Sequence, residues 1–99
     1  MEKKAYQYKL TLEYLKDNNG LPVDEKPVEF EFKNHDPIFS IIEMMKKRDF
    51  FDNPSQSVEF AVGLKLFSDV MMKNRNNPLF EELLPAFGNF MKKMKSSIK

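Results

Sequence analysis

The sequence contains no cysteine and no tryptophan, and it has a single histidine, His35. Without cysteine there can be no disulfide, no thiolate zinc site and no cysteine nucleophile. No stretch approaches the roughly 18 uninterrupted apolar residues of a membrane helix, and the basic N-terminal residues are not followed by an apolar segment. We therefore expect a cytoplasmic protein that is neither secreted nor inserted in a membrane.

Positive and negative charges nearly balance, because the chain has 16 Lys and Arg residues and 15 Asp and Glu residues. The formal net charge is +1 and the isoelectric point is near 7.9. Domains dedicated to nucleic acids usually have an isoelectric point above about 9, so we expect no specific nucleic-acid binding. A chain of 99 residues with 41% hydrophobic residues has the size of a single domain, residues 1–99, with one core.

Two segments near the N-terminus alternate between apolar and polar residues, which predicts strands at about 5–16 and 27–33. The sequence DNNG at 17–20 is typical of a turn, so the strands should form an antiparallel hairpin. Glu29 and Glu31 are then expected on its polar surface near Lys9.

After Phe32 the apolar period changes to about 3.6, which predicts helices at about 37–48, 54–74 and 78–96. Each begins at a proline that follows Asp or Asn, the arrangement of a helix N-cap. Pro85 predicts a kink in the third helix, or a break at 84/85. Gly63 lies within the apolar arc of the second helix, which favours a close approach by another backbone.

The fold class predicted from these elements is α+β, with an N-terminal antiparallel hairpin packed on three C-terminal helices. The hairpin residues expected to face the helices alternate along the two strands: Tyr6, Tyr8, Leu10, Leu12, Val28, Phe30 and Phe32.

His35 is the first residue to consider for catalysis, because it stands beside Asp36 and near Glu43, Asp49 and Asp52. A small enzyme or metal-dependent hydrolase centred on His35 is therefore an alternative function. The simpler interpretation is that Asp36 caps the first helix and His35 occupies the corner before it. No metal-ligand spacing, nucleophile motif or phosphate loop accompanies the pair, so we assign no catalytic residue, metal or cofactor.

The leading hypothesis is a protein-interaction module that binds a partner protein or forms a homodimer. The first strand offers an outer edge at Thr11, Glu13 and Leu15 that is less well protected than the second strand, whose protecting residues are Pro22, Pro27, Glu29, Glu31 and Lys33. Phe50 and Phe51, in the loop DFFDNP, either fill the space under the loop or form an exposed contact.

A third, weaker alternative is an anion or nucleic-acid surface at the end of the molecule where two helices would finish in basic residues. Complementing the helix dipole explains the same residues. They are Lys46, Lys47, Arg48, Lys92, Lys93, Lys95 and Lys99.

Three segments also carry a resemblance: NHDPIFSIIE, FAVGLKLFSDVM and NPLFEELLPAFGNFMKKMK. Together they resemble a family of small bacterial proteins classed as a domain of unknown function, number thirty-eight sixty-one, over nearly the whole chain. The resemblance implies an α+β fold of this size, and it implies no activity, ligand or functional residue.

Overall fold

A computed structural model describes residues 4–48 and 50–97 of the chain. The chain forms two compact units that divide between Pro37 and Ile38. The first contains strands β1 (Tyr6–Leu12) and β2 (Val28–Asn34). The second contains helices α1 (Ile38–Arg48), α2 (Pro54–Lys73) and α3 (Leu83–Ser97), with a short 3-10 helix at Pro78–Phe80. The predicted α+β class, a hairpin followed by three helices, is confirmed.

β1 and β2 pair antiparallel, with Tyr6 opposite Asn34 and Leu12 opposite Val28. Because strand side chains alternate between faces, this register places all seven predicted apolar residues on one face. Aromatic contacts join that face, and the ring centroids of Tyr8 and Phe32 are 5.5 Å apart. On the other face Lys9 Nζ lies 2.9 Å from Glu29 Oε2, which confirms the predicted polar surface.

β1 ends at Leu12, four residues before the predicted end of the first strand. Beyond it, Lys16 and Pro22 form an isolated antiparallel bridge. Between the two paired regions the outgoing chain has residues 13–15, whereas the returning chain has residues 23–27. The returning chain therefore bulges, and Pro27 within it has no N–H to contribute to a ladder.

The turn at the tip of the hairpin has the form predicted by DNNG. Gly20 N–H donates to the Asp17 carbonyl, and Gly20 takes a left-handed φ of 82° that suits glycine. Asp17 Oδ1 also accepts from the N–H groups of Asn19 and Leu21, each at 2.9 Å. One side chain thus holds both arms of the turn.

Two of the three predicted asparagine or aspartate caps are visible at helix starts. Asn53 Oδ1 accepts from Ser55 N–H at 2.9 Å before α2, and Asn77 Oδ1 accepts from Leu79 N–H at 2.9 Å before the 3-10 helix. Pro54 and Pro78 occupy the first helical turns, where a missing N–H costs no hydrogen bond.

The single third helix predicted for residues 78–96 is wrong in its first turns. The 3-10 helix ends at Phe80, Glu81 and Glu82 form a turn, and α3 starts at Leu83. Pro85 then lies in the first turn of α3, where N–H groups have no intrahelical partner. It causes no kink within a helix, because the interruption comes before it.

The helical unit has a core between α1 and α2. Met45, Ala61 and Leu64 are buried there, and Phe87, Met91 and Met94 of α3 pack against them. The buried residues of α2 are Ser57, Ala61, Leu64 and Met71, whereas Phe67 and Val70 of the predicted apolar arc remain about half exposed.

The expectation for Gly63 is also wrong. Gly63 is exposed, and a Cβ placed there would meet no atom within 4 Å among the described residues. Among the described residues, no backbone of another element approaches Gly63 closely.

Candidate interaction site

The candidate site is the outer edge of β1, meaning the side of Tyr6–Leu12 that faces away from β2. In the part of the chain that the structure describes, the sheet has only these two strands. An edge strand presents N–H and C=O groups that are able to pair with another strand. The outer edges of β1 and β2 are therefore the places where main-chain recognition is available in this sheet.

The two edges of the hairpin differ in how they are protected. β2 is preceded by Pro27 and carries Glu29, Glu31 and Lys33, the residue types that natural proteins place on edges to prevent pairing. Along β1 the corresponding positions are Gln7, Lys9 and Thr11. β1 is therefore the less protected of the two strands.

Thr11, Glu13 and Leu15 are all exposed. The returning segment folds back over part of this region, since Val23 N–H donates to the Leu15 carbonyl at 3.1 Å and Asp17 N–H donates to the Leu21 carbonyl at 2.8 Å. Those bonds lie beyond the end of β1 and leave Thr11 within the ladder, opposite Glu29.

Large apolar side chains are exposed near the same strand. Leu12 is 65% exposed, Leu15 69% and Leu21 60%. Sequence patterning predicted Leu12 on the apolar face, and it left open that residues 21–23, immediately after the turn, fold back over the edge of the first strand. Neighbouring exposed apolar residues of this size are typical of contact surfaces.

Phe50 and Phe51 are half-buried in the loop between α1 and α2. The Phe51 ring packs edge-on against Phe60 of α2, with centroids 5.3 Å apart, and Phe60 in turn contacts Phe90 of α3 at 6.3 Å. This placement corresponds to the first of the two interpretations, in which the loop aromatics fill space beneath the loop.

One apolar surface of α1 escaped the sequence analysis. Phe39 is 74% exposed and, with Ser40, Glu43, Met44 and Lys47, lines an open concavity of about 430 Å³. The apolar residues that form one face of α1 are Ile38, Ile41, Ile42 and Met45. Phe39 lies off that face, and this position is the sequence signal that could have indicated its exposure.

His35 is exposed beside β1, and its Nδ1 lies 3.3 Å from the Lys4 carbonyl oxygen. The adjoining concavity, of about 310 Å³, is lined by Lys4, Ala5, Tyr6 and His35 and includes no carboxylate. A general base needs an orienting group and a substrate-facing nucleophile or water within hydrogen-bond reach. The lining of this concavity supplies no carboxylate to orient the imidazole.

Asp36 is half-buried and forms part of a bonded corner. Its N–H donates to Asn34 Oδ1 at 2.9 Å, and its carbonyl accepts from the Tyr8 hydroxyl at 3.0 Å. The corner is therefore held by groups on both strands. That the Asp36 carboxylate caps α1 stays a prediction.

Two further searches concern metals and membranes. Across residues 4–48 and 50–97, no group of three or more His, Asp or Glu side chains is arranged to hold a metal ion. No helix in the described part of the chain has the length and apolarity needed to cross a bilayer. Asp49 and Lys99, which entered the sequence arguments for a catalytic and a basic surface, lie outside the described residues.

Comparison with known proteins identifies the family. A model described as a domain of unknown function with a solved structure, DUF3861, matches residues 6–96. The chain belongs to the DUF3861 family. The family suggested by the sequence resemblance is thereby confirmed, and DUF3861 itself brings no assigned activity.

A solved structure agrees with this assignment. The DUF3861 chain is 33% identical to a protein of unknown function, eca1910, from Pectobacterium atrosepticum SCRI1043, whose crystal structure was determined at 2.20 Å. The match covers 94% of this chain and 99% of the other, with a TM-score of 0.81. A search of curated proteins gives no significant match.

Proposed function

We propose that this DUF3861 protein is a small cytoplasmic module that self-associates by pairing the outer edges of two β1 strands. The observation that supports the proposal is that, in the described part of the chain, the sheet has two strands, of which β1 is the less protected and adjoins exposed apolar side chains. Localisation in the cytoplasm is supported by the complete absence of cysteine.

Sheet energetics favour the addition of strands. An isolated two-stranded hairpin is marginal in water, whereas three or more strands with an apolar face, or packing against a helix, give stability. Two copies joined along β1 would form a four-stranded sheet with a continuous apolar face. Each copy would then expose only the better protected edge of β2.

The direction of backbone groups along β1 can be inferred from the ends of its ladder. β1 pairs with β2 from Tyr6–Asn34 to Leu12–Val28. If these end pairs were not hydrogen-bonded, Glu13 N–H would bond the Pro27 carbonyl and His35 N–H would bond the Ala5 carbonyl, and neither bond is present among the described residues. The even-numbered residues of β1 therefore bond β2, and the N–H groups of Lys9 and Thr11 face outward.

A pair of proline substitutions tests which edge is used. Proline has no N–H and is tolerated in a strand only where that group faces outward. Thr11→Pro removes an outward donor from β1, and Glu29→Pro, at the position directly opposite, does the same for β2. The two variants therefore change the same cross-strand pair and blunt opposite edges.

Sedimentation velocity over a range of protein concentrations is the measurement, with far-UV circular dichroism to verify folding. We expect the wild type and Glu29→Pro to form dimers as concentration rises, and Thr11→Pro to remain monomeric. A wild type that is monomeric at every concentration, or equal association by both variants, contradicts the proposal.

A further inference from the structure

We propose that the two β1 strands pair antiparallel about a two-fold axis at Thr11, which places Lys9 of each copy opposite Glu13 of the other. This inference rests on the proposed function and adds the register of the interface. It is derived from the order of charges along β1 and from the faces assigned by the hairpin register.

The alternation of side chains limits the choice of axis. In an antiparallel pair, directly opposed side chains lie on the same face of the sheet. If the axis passes through a residue, the even-numbered residues of one copy lie opposite even-numbered residues of the other. The two apolar faces then form one surface. An axis between two residues would oppose apolar to polar side chains along the whole interface.

Charge then distinguishes the remaining axes. An axis at Lys9 opposes two ammonium groups, and an axis at Glu13 opposes two carboxylates. Axes at Leu10 and Leu12 oppose Lys9 to Thr11 and to Leu15, respectively. Only the axis at Thr11 opposes Lys9 to Glu13, and by symmetry it does so twice.

The apolar face fits the same axis. Leu10 of one copy lies opposite Leu12 of the other, and Tyr8 lies opposite Tyr14. Leu12 is 65% exposed and Tyr14 52%, so this pairing would bury apolar surface that the single chain leaves in water.

Lys9 has room for the second carboxylate. Its Nζ lies 2.9 Å from Glu29 Oε2, yet its side chain is 60% exposed. The ammonium group has three donors, so it can bond Glu29 of its own chain and Glu13 of the partner. Glu13 is exposed and follows the last residue of β1.

The experiment uses Lys9→Glu and Glu13→Lys, separately and mixed in equal amounts. Each variant alone opposes like charges at both symmetric positions, whereas a heterodimer of the two restores opposite charges at both. We expect each single variant to dimerise at least about tenfold more weakly than the wild type, and the mixture to recover a one-to-one dimer. Lys33→Glu is the matched control, because it reverses a lysine on β2 and should leave dimerisation unchanged.

The outcomes separate this inference from the proposed function. If the wild type dimerises, Thr11→Pro abolishes the dimer and neither charge reversal weakens it, edge pairing stands and the register is wrong. If both reversals weaken the dimer and mixing restores nothing, the register is also wrong. A monomeric wild type overturns both, and leaves the edge of β1 available for a strand from another protein.

Discussion

Replacing Gly63 by alanine is expected to stabilise the protein against unfolding by about 1 kcal/mol. Gly63 lies in the interior of α2 (Pro54–Lys73), and an added Cβ would meet no described atom within 4 Å. The substitution therefore introduces no clash and gains no packing. What remains is the difference in helix propensity, which is about 0.8–1.0 kcal/mol in favour of alanine.

Two other glycines provide controls. Gly88 lies in α3 with the same open surroundings, so Gly88→Ala should stabilise by a similar amount. Gly20 has a φ of 82°, a conformation that alanine adopts only with strain. Gly20→Ala should therefore destabilise by about 1 kcal/mol, although it too has open space around it.

Urea unfolding followed by far-UV circular dichroism measures these differences. Protein concentration must be held constant, because the proposed self-association would add a concentration-dependent stabilisation. A gain of 1 kcal/mol corresponds to a rise in Tm of about 4–8 °C for a domain of 60–100 residues. A Gly63→Ala variant that unfolds at lower urea would refute the reasoning, since it would mean that another backbone approaches α2 at this position.

Three further substitutions test the fold. Met45→Ala should lower the free energy of unfolding by about 2–5 kcal/mol, because Met45 is 2% exposed within the α1–α2 core. A urea midpoint within error of the wild type would contradict that placement. Asp17→Ala should cost about 1 kcal/mol by removing two side-chain hydrogen bonds in the turn, while Asp17→Asn, which keeps an oxygen acceptor, should cost less in the same titration. Asp36→Ala should cost about 1 kcal/mol if its carboxylate caps α1, and His35→Ala should cost less; the reverse order of denaturation midpoints would show that His35 has the larger structural role.

Much of the hairpin could be predicted from the sequence, because alternation and turn chemistry are local. The period of two placed Tyr8 and Phe32 on the same face, and the DNNG turn fixed where the chain reverses. The end of β1 at Leu12 could not be predicted in this way. It depends on two extra residues in the returning chain, which become visible only when both strands are aligned.

The helices show the same division between local and tertiary information. Asn53 and Asn77 were recognised as caps because their bonds reach only two residues along the chain. The arc of α2 that is buried depends on where α1 and α3 pack, so Ala61 is buried and Val70 is exposed although valine is the more apolar residue. The turn at Glu81 and Glu82 was missed because the apolar phase continues through it.

The candidate site was only partly accessible to sequence reasoning. Thr11, Glu13 and Leu15 were identified from the lack of edge protection, a property that can be read from residue types alone. The 60% exposure of Leu21, by contrast, is not indicated by its apolar character. A sequence pattern indicates that a side chain is apolar but not that it remains in contact with water.

Disulfide cross-linking through Thr11→Cys tests the pairing of β1 strands most directly. The chain has no other cysteine, so any disulfide must join two copies. At the proposed axis the two Cα atoms would form a hydrogen-bonded pair about 5.5 Å apart, within the range of about 4.4–6.8 Å that a disulfide spans. In Gln7→Cys, the control on the same face of β1, the two cysteines would lie about 27 Å apart along the paired strands. We predict that mild oxidation converts Thr11→Cys to a covalent dimer on a non-reducing gel and leaves Gln7→Cys monomeric; equal cross-linking of the two variants, or of neither, would contradict pairing of the β1 edges about Thr11.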